Sequence, residues 1–320
     1  IVFGDWSSDV CSSDLNMVAG LSAPATSNAT AVCGIRFGGA GDVYAWHNTV
    51  YLNYTPTSTG SSAAIYVGVG SSNTTEMKNN IFINNSDYST NGTRCMAFAK
   101  TSSAVISNAT NNNIYYAGTP SSKNLIAYLG STSYQTLEEF KAAVSYDQNS
   151  YTELTPFHNY NSPFELHVLS TLCSYANDNG LPIAMVTKDY DGNIRNTMTP
   201  DISADELTGY SLISNAGIDS IICSNSIQLY ANDPSIQGAT GVWTINTGGG
   251  TIINTLNYQT LVNSIPLGAN SYTWTVSKTA CKNVSDTVVI INASVVANAG
   301  TDTIICTNSL QLYEIGRAHV

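Results

Sequence analysis

Charge is scarce in this chain. Asp, Glu, Lys and Arg make up 10% of its 320 residues, with 11 bases against 22 acids. So few bases leave no stripe along which a phosphate backbone could run, which argues against nucleic acid as a partner. No run of eighteen apolar residues occurs, so no helical membrane span is expected within the sequence. The seven cysteines include no CxxC pair and no Cys/His cluster, which sets zinc-binding and thioredoxin-type chemistry aside. What fills the chain instead is Ser, Thr, Asn, Gly, Ala and Tyr, a mixture that suits strands and exposed turns rather than helices. Widely spaced cysteines in a Tyr-rich, Lys-poor chain suit an oxidising, extracytoplasmic setting.

Both ends are expected to be foreign to the fold. Residues 5–15, DWSSDVCSSDL, resemble the reverse-strand translation of a common short-read sequencing adapter, and residues 314–320, EIGRAHV, resemble its forward-strand translation. Residues 1–15 and 314–320 are therefore set apart from the structural argument. The native segment is read as 16–313, with its own start, any leader and its own end lying outside it.

Within that segment a pattern recurs as HNTVYLNY at 47–54, KNNIFINN at 78–85 and NNNIYYAG at 111–118. Aligned on Val50, Ile81 and Ile114, the copies repeat at a period near thirty, the mark of stacked supersecondary units. A second series, GIRF at 34–37, AIYV at 64–67, MAFA at 96–99 and IAYL at 126–129, runs in step with it. Ile35, Ile65, Met96 and Ile126 are expected to stack inside, with Arg36, Tyr66, Ala97 and Ala127 pointing outward by strand alternation. Two strand columns per repeat, joined by segments such as TPTSTGSS at 55–62, describe a parallel β-helix. Asn48, Asn79 and Asn112 fit an internal asparagine ladder, each amide bonding to the next turn; the plainer alternative is that they are turn residues. With the aliphatic columns inside, Tyr51, Phe82 and Tyr115 form an outward file of rings able to receive the apolar faces of pyranoses. The alternatives are that a loop covers the file, or that the register is reversed and the rings fill the core.

The coils hold little for catalysis. Their carboxylates, Asp42, Glu76 and Asp87, fall in different columns, whereas a glycosidase needs a convergent pair. His47 stands alone, Arg36, Lys78, Arg94 and Lys100 are scattered, and no catalytic residue is assigned.

A helical period occurs once, in TLEEFKAAVSYD at 136–147, where Leu137, Phe140 and Val144 share a face and Thr136 with Glu139 forms a capping box. The helix is expected to cover a rim of the coil. The runs that follow, TPFHNYNSPFELHVL and KDYDGNIRNTMTPDISADE, resemble the end of right-handed parallel β-helix modules of large bacterial surface proteins. Those modules close with a D-x-x-G-x-x-R and PDIGADE-like tail, matched by Asp189, Gly192, Arg195, Pro200, Asp201, Ile202, Ala204, Asp205 and Glu206, with Ser203 where the family usually has Gly. The resemblance implies a surface module and carries over no catalytic residue. Asp189, Asp191 and Asn193 place oxygen ligands at alternate positions, as calcium loops do, though a turn built on Asp, Gly and Asn accounts for the same residues. Calcium is the one cofactor this pattern admits.

Beyond residue 208, NAGIDSIICSNSIQLY at 215–230 recurs as NAGTDTIICTNSLQLY at 298–313. Between the copies lie alternating strands such as GVWTIN and SYTWTVS, parted by turns, which read as an immunoglobulin-like β-sandwich over 208–297 with a further repeat beginning at 298–313. The unit resembles the PKD-like and Ig-like repeats of secreted bacterial adhesins, with Cys223, Trp243, Trp274 and Cys281 matching. That resemblance implies a Cys223–Cys281 disulfide, against the alternative of reduced core cysteines. The sequence as a whole therefore predicts an all-β chain: a right-handed parallel β-helix over 16–207, then an Ig-like sandwich. Its expected role is adhesion or glycan contact at a cell surface or outside the cell, with a polysaccharide or host glycan as partner. The alternatives are a polysaccharide lyase or hydrolase, or a structural spacer.

Overall fold

The structure is a computed structural model that describes residues 2–3, 10–23, 32–39, 41–70, 72–88, 90–207, 209–295, 304–306 and 308–309. It is almost entirely β and divides into two units, Ile1–Tyr210 and Ser211–Val320.

The first unit is a β-solenoid of about three turns. Val32–Phe37, Ser62–Val67, Cys95–Lys100 and Asn124–Leu129 pair in parallel in one sheet. Asp42–Trp46, Thr74–Lys78 and Val105–Ile106 form a second, and Thr49–Leu52, Ile81–Asn84 and Ile114–Tyr116 a third. The adapter-like residues Val10–Asp14 run in parallel beside Asp42–Trp46. That pairing is between backbones, and an open sheet edge accepts any chain that offers free N–H and C=O groups.

The corner between the second and third sheets sets the repeat. Leu15, His47, Asn79 and Asn112 all occupy the left-handed region there, with φ of 60°, 52°, 58° and 54°. Such a corner turns backbone groups inward, where water cannot reach them. The residue after each corner answers this. Asn16, Asn48, Asn80 and Asn113 form a continuous ladder, in which each side-chain amide and each backbone N–H donates to the Oδ1 of the next asparagine at 2.8–3.1 Å. The second amide hydrogen of Asn48, Asn80 and Asn113 goes to a carbonyl one turn back, that of Ser13, Ala45 and Met77. An internal asparagine ladder is thus present, but only Asn48 of the three expected members belongs to it. Asn79 and Asn112 are the left-handed corner residues and point out of the coil.

The same one-residue slip moves the aromatic file. In the third sheet Val50 lies against Phe82 and Phe82 against Tyr115, while Tyr51 lies against Ile83. Phe82 and Tyr115 are interior, fully buried with Val50, Ile35, Ile65 and Phe98. Tyr51 is on the outer face, but Phe157, Tyr160 and Phe164 pack over it with ring centroids 5.4–6.5 Å away. None of the three rings is open to a glycan. In the first sheet Ile35 does stack on Ile65, but the next members of that file are Phe98 and Ala127. Met96 instead follows Cys33 and Ala63 and precedes Leu125. Gly34 lets the coil close tightly here, since a Cβ on it would lie 2.2 Å from Val50 Cγ1 and 2.6 Å from the Ala64 carbonyl oxygen.

The helix Leu137–Ala143 carries the expected capping box, with Glu139 N–H donating to Thr136 Oγ1 at 3.2 Å and the Glu139 carboxylate accepting from Thr136 N–H at 3.2 Å. Its buried Phe140 closes the end of the interior, 6.1 Å from the rings of both Phe98 and Tyr115. Thr136→Ala is expected to lower the stability of this unit by about 1 kcal/mol, measured by urea unfolding.

Residues 153–207 then lie over the outer face of the third sheet, where Phe157, Leu166, Val168, Ala176 and Ile202 are buried against Tyr51, Ile81, Ile83 and Ile114. This explains why those strands are buried on both faces. The corner residues hold the segment in place: Asn79 Nδ2 donates to the Leu181 carbonyl (2.7 Å), Asn112 Nδ2 to that of Asn179 (2.7 Å), and Thr49 Oγ1 accepts from Ala204 N–H (3.0 Å). Arg195, 4% exposed, staples the tail through Glu206 and the Ser203 and Ala204 carbonyls. Cys173 is disulfide-bonded, while Cys33 and Cys95 stand outside any disulfide, and burial pushes their thiols up to about 11 and about 12.

The second unit contains a sheet of Ser220–Ile222, Val284–Asn292, Gly268–Ser277 and Thr240–Thr247, and another of Ile227–Tyr230, Gln259–Asn263 and Thr251–Ile252. Trp243 and Trp274 face each other across a strand pair, both buried, with ring centroids 5.2 Å apart. The Cys223–Cys281 disulfide is not formed. Cys223 is exposed with a free thiol, and Cys281 is disulfide-bonded without it. The reason is topological. Ile222 pairs with Asn292 at the end of Val284–Asn292, whereas Cys281 precedes the start of that strand. Nine strand residues at about 3.4 Å each part them, far beyond the reach of a disulfide. The second copy of the 215–230 motif, at 298–313, lies largely outside the described residues.

Candidate functional site

Strand alternation places one column of the first sheet on the outside: Arg36 against Tyr66, Tyr66 against Ala99, Ala99 against Tyr128. The floor beneath it is apolar and closed. Ala63, Met96, Ala99 and Leu125 are at most 2% exposed, with Tyr66 and Tyr128 packed across them as half-buried rings. Each ring carries a guanidinium, with Arg36 Cζ 4.9 Å from the Tyr66 centroid and Arg94 Cζ 4.4 Å from that of Tyr128. Stacking on a π-face holds each planar cation at the surface. The strands VCGIRF, SAAIYV, CMAFAK and NLIAYL of this sheet contain no acidic residue. The face is therefore locally basic on a chain whose net charge is −11.

Strand spacing of about 4.8 Å per turn puts Tyr66 and Tyr128, two rungs apart, about 10 Å from one another. Beside this stripe a groove of about 450 Å³ is lined by Tyr116, Lys123 and Asn124 among others. Lys123 adjoins Arg94 through the rung between them, since its carbonyl accepts the N–H of Cys95 at 2.8 Å. The arrangement offers flat apolar surface flanked by donors at a regular rise. Arg36 and Tyr66 were legible as outward residues in the sequence. Tyr128 and Arg94 are not legible in this way, because strict alternation from Ile126 places Tyr128 inside.

The carboxylates of the coils are otherwise engaged. Asp42 accepts from the N–H and Oγ1 of Thr74 (2.7 and 3.0 Å), and Glu76 accepts from Lys78 (2.7 Å) and Trp46 Nε1 (3.1 Å). His47 is a buried corner residue, its Nδ1 3.2 Å from the Ser203 carbonyl oxygen and its Nε2 3.0 Å from Asn79 Nδ2.

Asp189, Asp191 and Asn193 form a turn in which the Asp189 carboxylate is filled by protein donors: the N–H groups of Asp191 (3.0 Å), Asn193 (2.7 Å) and Glu206 (3.1 Å), and Asn193 Nδ2 (3.0 Å). Asp191 turns away, its Oδ2 2.8 Å from His167 Nε2. The three oxygens are not gathered around one point, because the turn itself uses Asp189. Among the described residues no helix is long and apolar enough to cross a membrane. A scan against protein-family models finds no match to this chain, and a search of the curated proteins finds none either.

Proposed function

We propose that the solenoid is a glycan-contact module of a modular secreted or cell-surface protein, and that its ligand is an acidic polysaccharide laid along the Arg36, Tyr66, Tyr128 and Arg94 face. One observation carries this reading: two tyrosines in register on the outside of the sheet, each bearing a stacked guanidinium, on an otherwise acidic chain. Half-buried rings supply sites for pyranose faces, and arginine forks match carboxylate or sulfate groups in a bidentate manner. The fixed rise of the coil suits a polymer with a regular repeat. The repeat of the 215–230 motif at 298–313 supports an Ig-like tandem acting as a spacer that projects the solenoid, with the right-handed β-helix as its finer fold.

The test is affinity electrophoresis of the full chain in gels containing polygalacturonate, a sulfated glycan or a neutral β-glucan. Retardation is expected with the acidic polymers only, weakening as salt rises. Arg36→Ala with Arg94→Ala is expected to weaken it by about tenfold or more, from charge-assisted bonds of about 1.5–3 kcal/mol each. Tyr66→Ala with Tyr128→Ala should weaken it comparably. Retention on acidic glycans that survives both pairs of substitutions, or retention on none of the polymers, overturns the reading.

A further inference from the structure

Glu165–Val168 is a short strand whose Leu166 and Val168 face inward, 4% and 2% exposed, leaving Glu165 and His167 together on the outer side. Glu165 Oε1 lies in close contact with His167 Nδ1. An imidazole that gives its Nδ1 proton to a carboxylate keeps a bare lone pair on Nε2. Nε2 lies 2.8 Å from Asp191 Oδ2, and the Asp205 carboxylate completes a group whose ligand atoms all lie within 4.8 Å of one another.

Three elements meet here: the strand, the 189–193 turn and the 203–206 tail. The turn is tied to the tail by Glu206 N–H on Asp189 (3.1 Å), and Asp205 is fixed by its own N–H on Ser203 Oγ (3.0 Å). Asp205 is 8% exposed, so its carboxylate meets little water. The adjoining amide of Glu206 is given to Asp189. The His167 imidazole and the Asp191 and Asp205 carboxylates lie close enough together to share one partner. A divalent cation would serve all three groups at once.

We propose that His167 Nε2, Asp191 and Asp205 bind a divalent transition-metal ion of the zinc or manganese class, with Glu165 as the positioning residue that fixes the imidazole tautomer. One nitrogen and two carboxylate oxygens are a borderline donor set, which favours such ions over calcium or magnesium, whose sites are built of oxygen. A carboxylate behind a metal-binding histidine is the usual way to orient the ring and raise its basicity. The ion clips the strand, the turn and the tail together.

Isothermal titration of the metal-free full chain with zinc chloride, manganese chloride and calcium chloride tests this. Binding of one equivalent of zinc or manganese is expected, together with a rise in Tm that a chelator reverses. Asp191→Asn, at an exposed position that leaves folding intact, and His167→Gln are each expected to weaken binding by about tenfold or more, as is Glu165→Gln. Cobalt substitution should give visible absorption bands that His167→Gln abolishes. No stoichiometric binding of zinc or manganese, binding of calcium alone, or affinity unchanged in Asp191→Asn and His167→Gln overturns the proposal.

Discussion

Asn80→Ala is expected to destabilise the solenoid by about 4 kcal/mol or more, as each buried polar group left unpaired costs about 1–3 kcal/mol. Asn80 uses its full bonding capacity. Its Oδ1 accepts from the backbone and side-chain amides of Asn48, both at 2.9 Å, and its Nδ2 donates to the Ala45 carbonyl and to Asn113 Oδ1, both at 2.8 Å. Truncation removes all four of these bonds at a position with 0% exposure, where water cannot replace what is lost. Equilibrium urea unfolding gives the magnitude, and hydrogen exchange gives the place: the Asn48 amide should lose its protection. Asn161→Ala, at an exposed position, is the control and is expected to change stability by less than about 0.5 kcal/mol. If Asn80→Ala behaves like that control, the ladder is incidental to the coil.

The ladder also shows how far the sequence could be read. The repeat, the coil, the cap at Thr136 and the outward placing of Arg36 and Tyr66 all follow from local patterns, because period, alternation and capping are written in neighbouring residues. Register is not. Aligning Val50 with Ile81 matched one aliphatic residue to another, but the backbone aligns Val50 with Phe82. The reason is that the left-handed corner, at His47, Asn79 and Asn112, fixes the phase of each turn. A β-strand turns over with a slip of one residue, so an alignment on the aliphatic residues exchanges inside for outside at Phe82 and Tyr115 and moves two of three ladder positions. The corner left a signal in the pairs His47-Asn48, Asn79-Asn80 and Asn112-Asn113, since the residue tolerant of positive φ precedes the ladder asparagine. Tyr51 failed for another reason: its cover comes from Phe157, Tyr160 and Phe164, more than a hundred residues away. The separation of Cys223 from Cys281 rests likewise on the parallel pairing of Ser220–Ile222 with the far end of Val284–Asn292.

Replacing His47 by Asn should make the solenoid markedly less sensitive to acid. His47 is fully buried, and burial first, then the nearby Arg195 guanidinium, push its pKa down to about 3. Protonating Nε2 would set an N–H against the Asn79 amide at 3.0 Å, and Asn79 cannot simply flip, because its Oδ1 already accepts from Leu181 N–H at 2.8 Å. The unfolded chain holds an ordinary imidazole near 6.5, so between that value and about 3 the unfolded state binds the proton and the folded state does not. Stability from this group is therefore complete above about pH 6.5 and falls by about 1.4 kcal/mol per unit below it. Two buried carboxyls act in the opposite sense. Burial raises Asp147 to about 6 and Asp201 to about 7, so the folded state holds protons that the unfolded chain has released. Their contribution falls as pH rises from about 4 through those values, which masks His47 in the native protein taken alone. The difference between native protein and His47→Asn cancels the carboxyl contributions. Asn accepts the left-handed backbone that His47 adopts, as Asn79 and Asn112 do in the same column. Urea unfolding of both at pH 7.5 and 4.5 should show the balance moving toward the variant by about 3 kcal/mol at the lower pH. A difference that stays constant between the two pH values would mean that His47 is protonated in the folded protein and that its contact with the Ser203 carbonyl is not sealed from water.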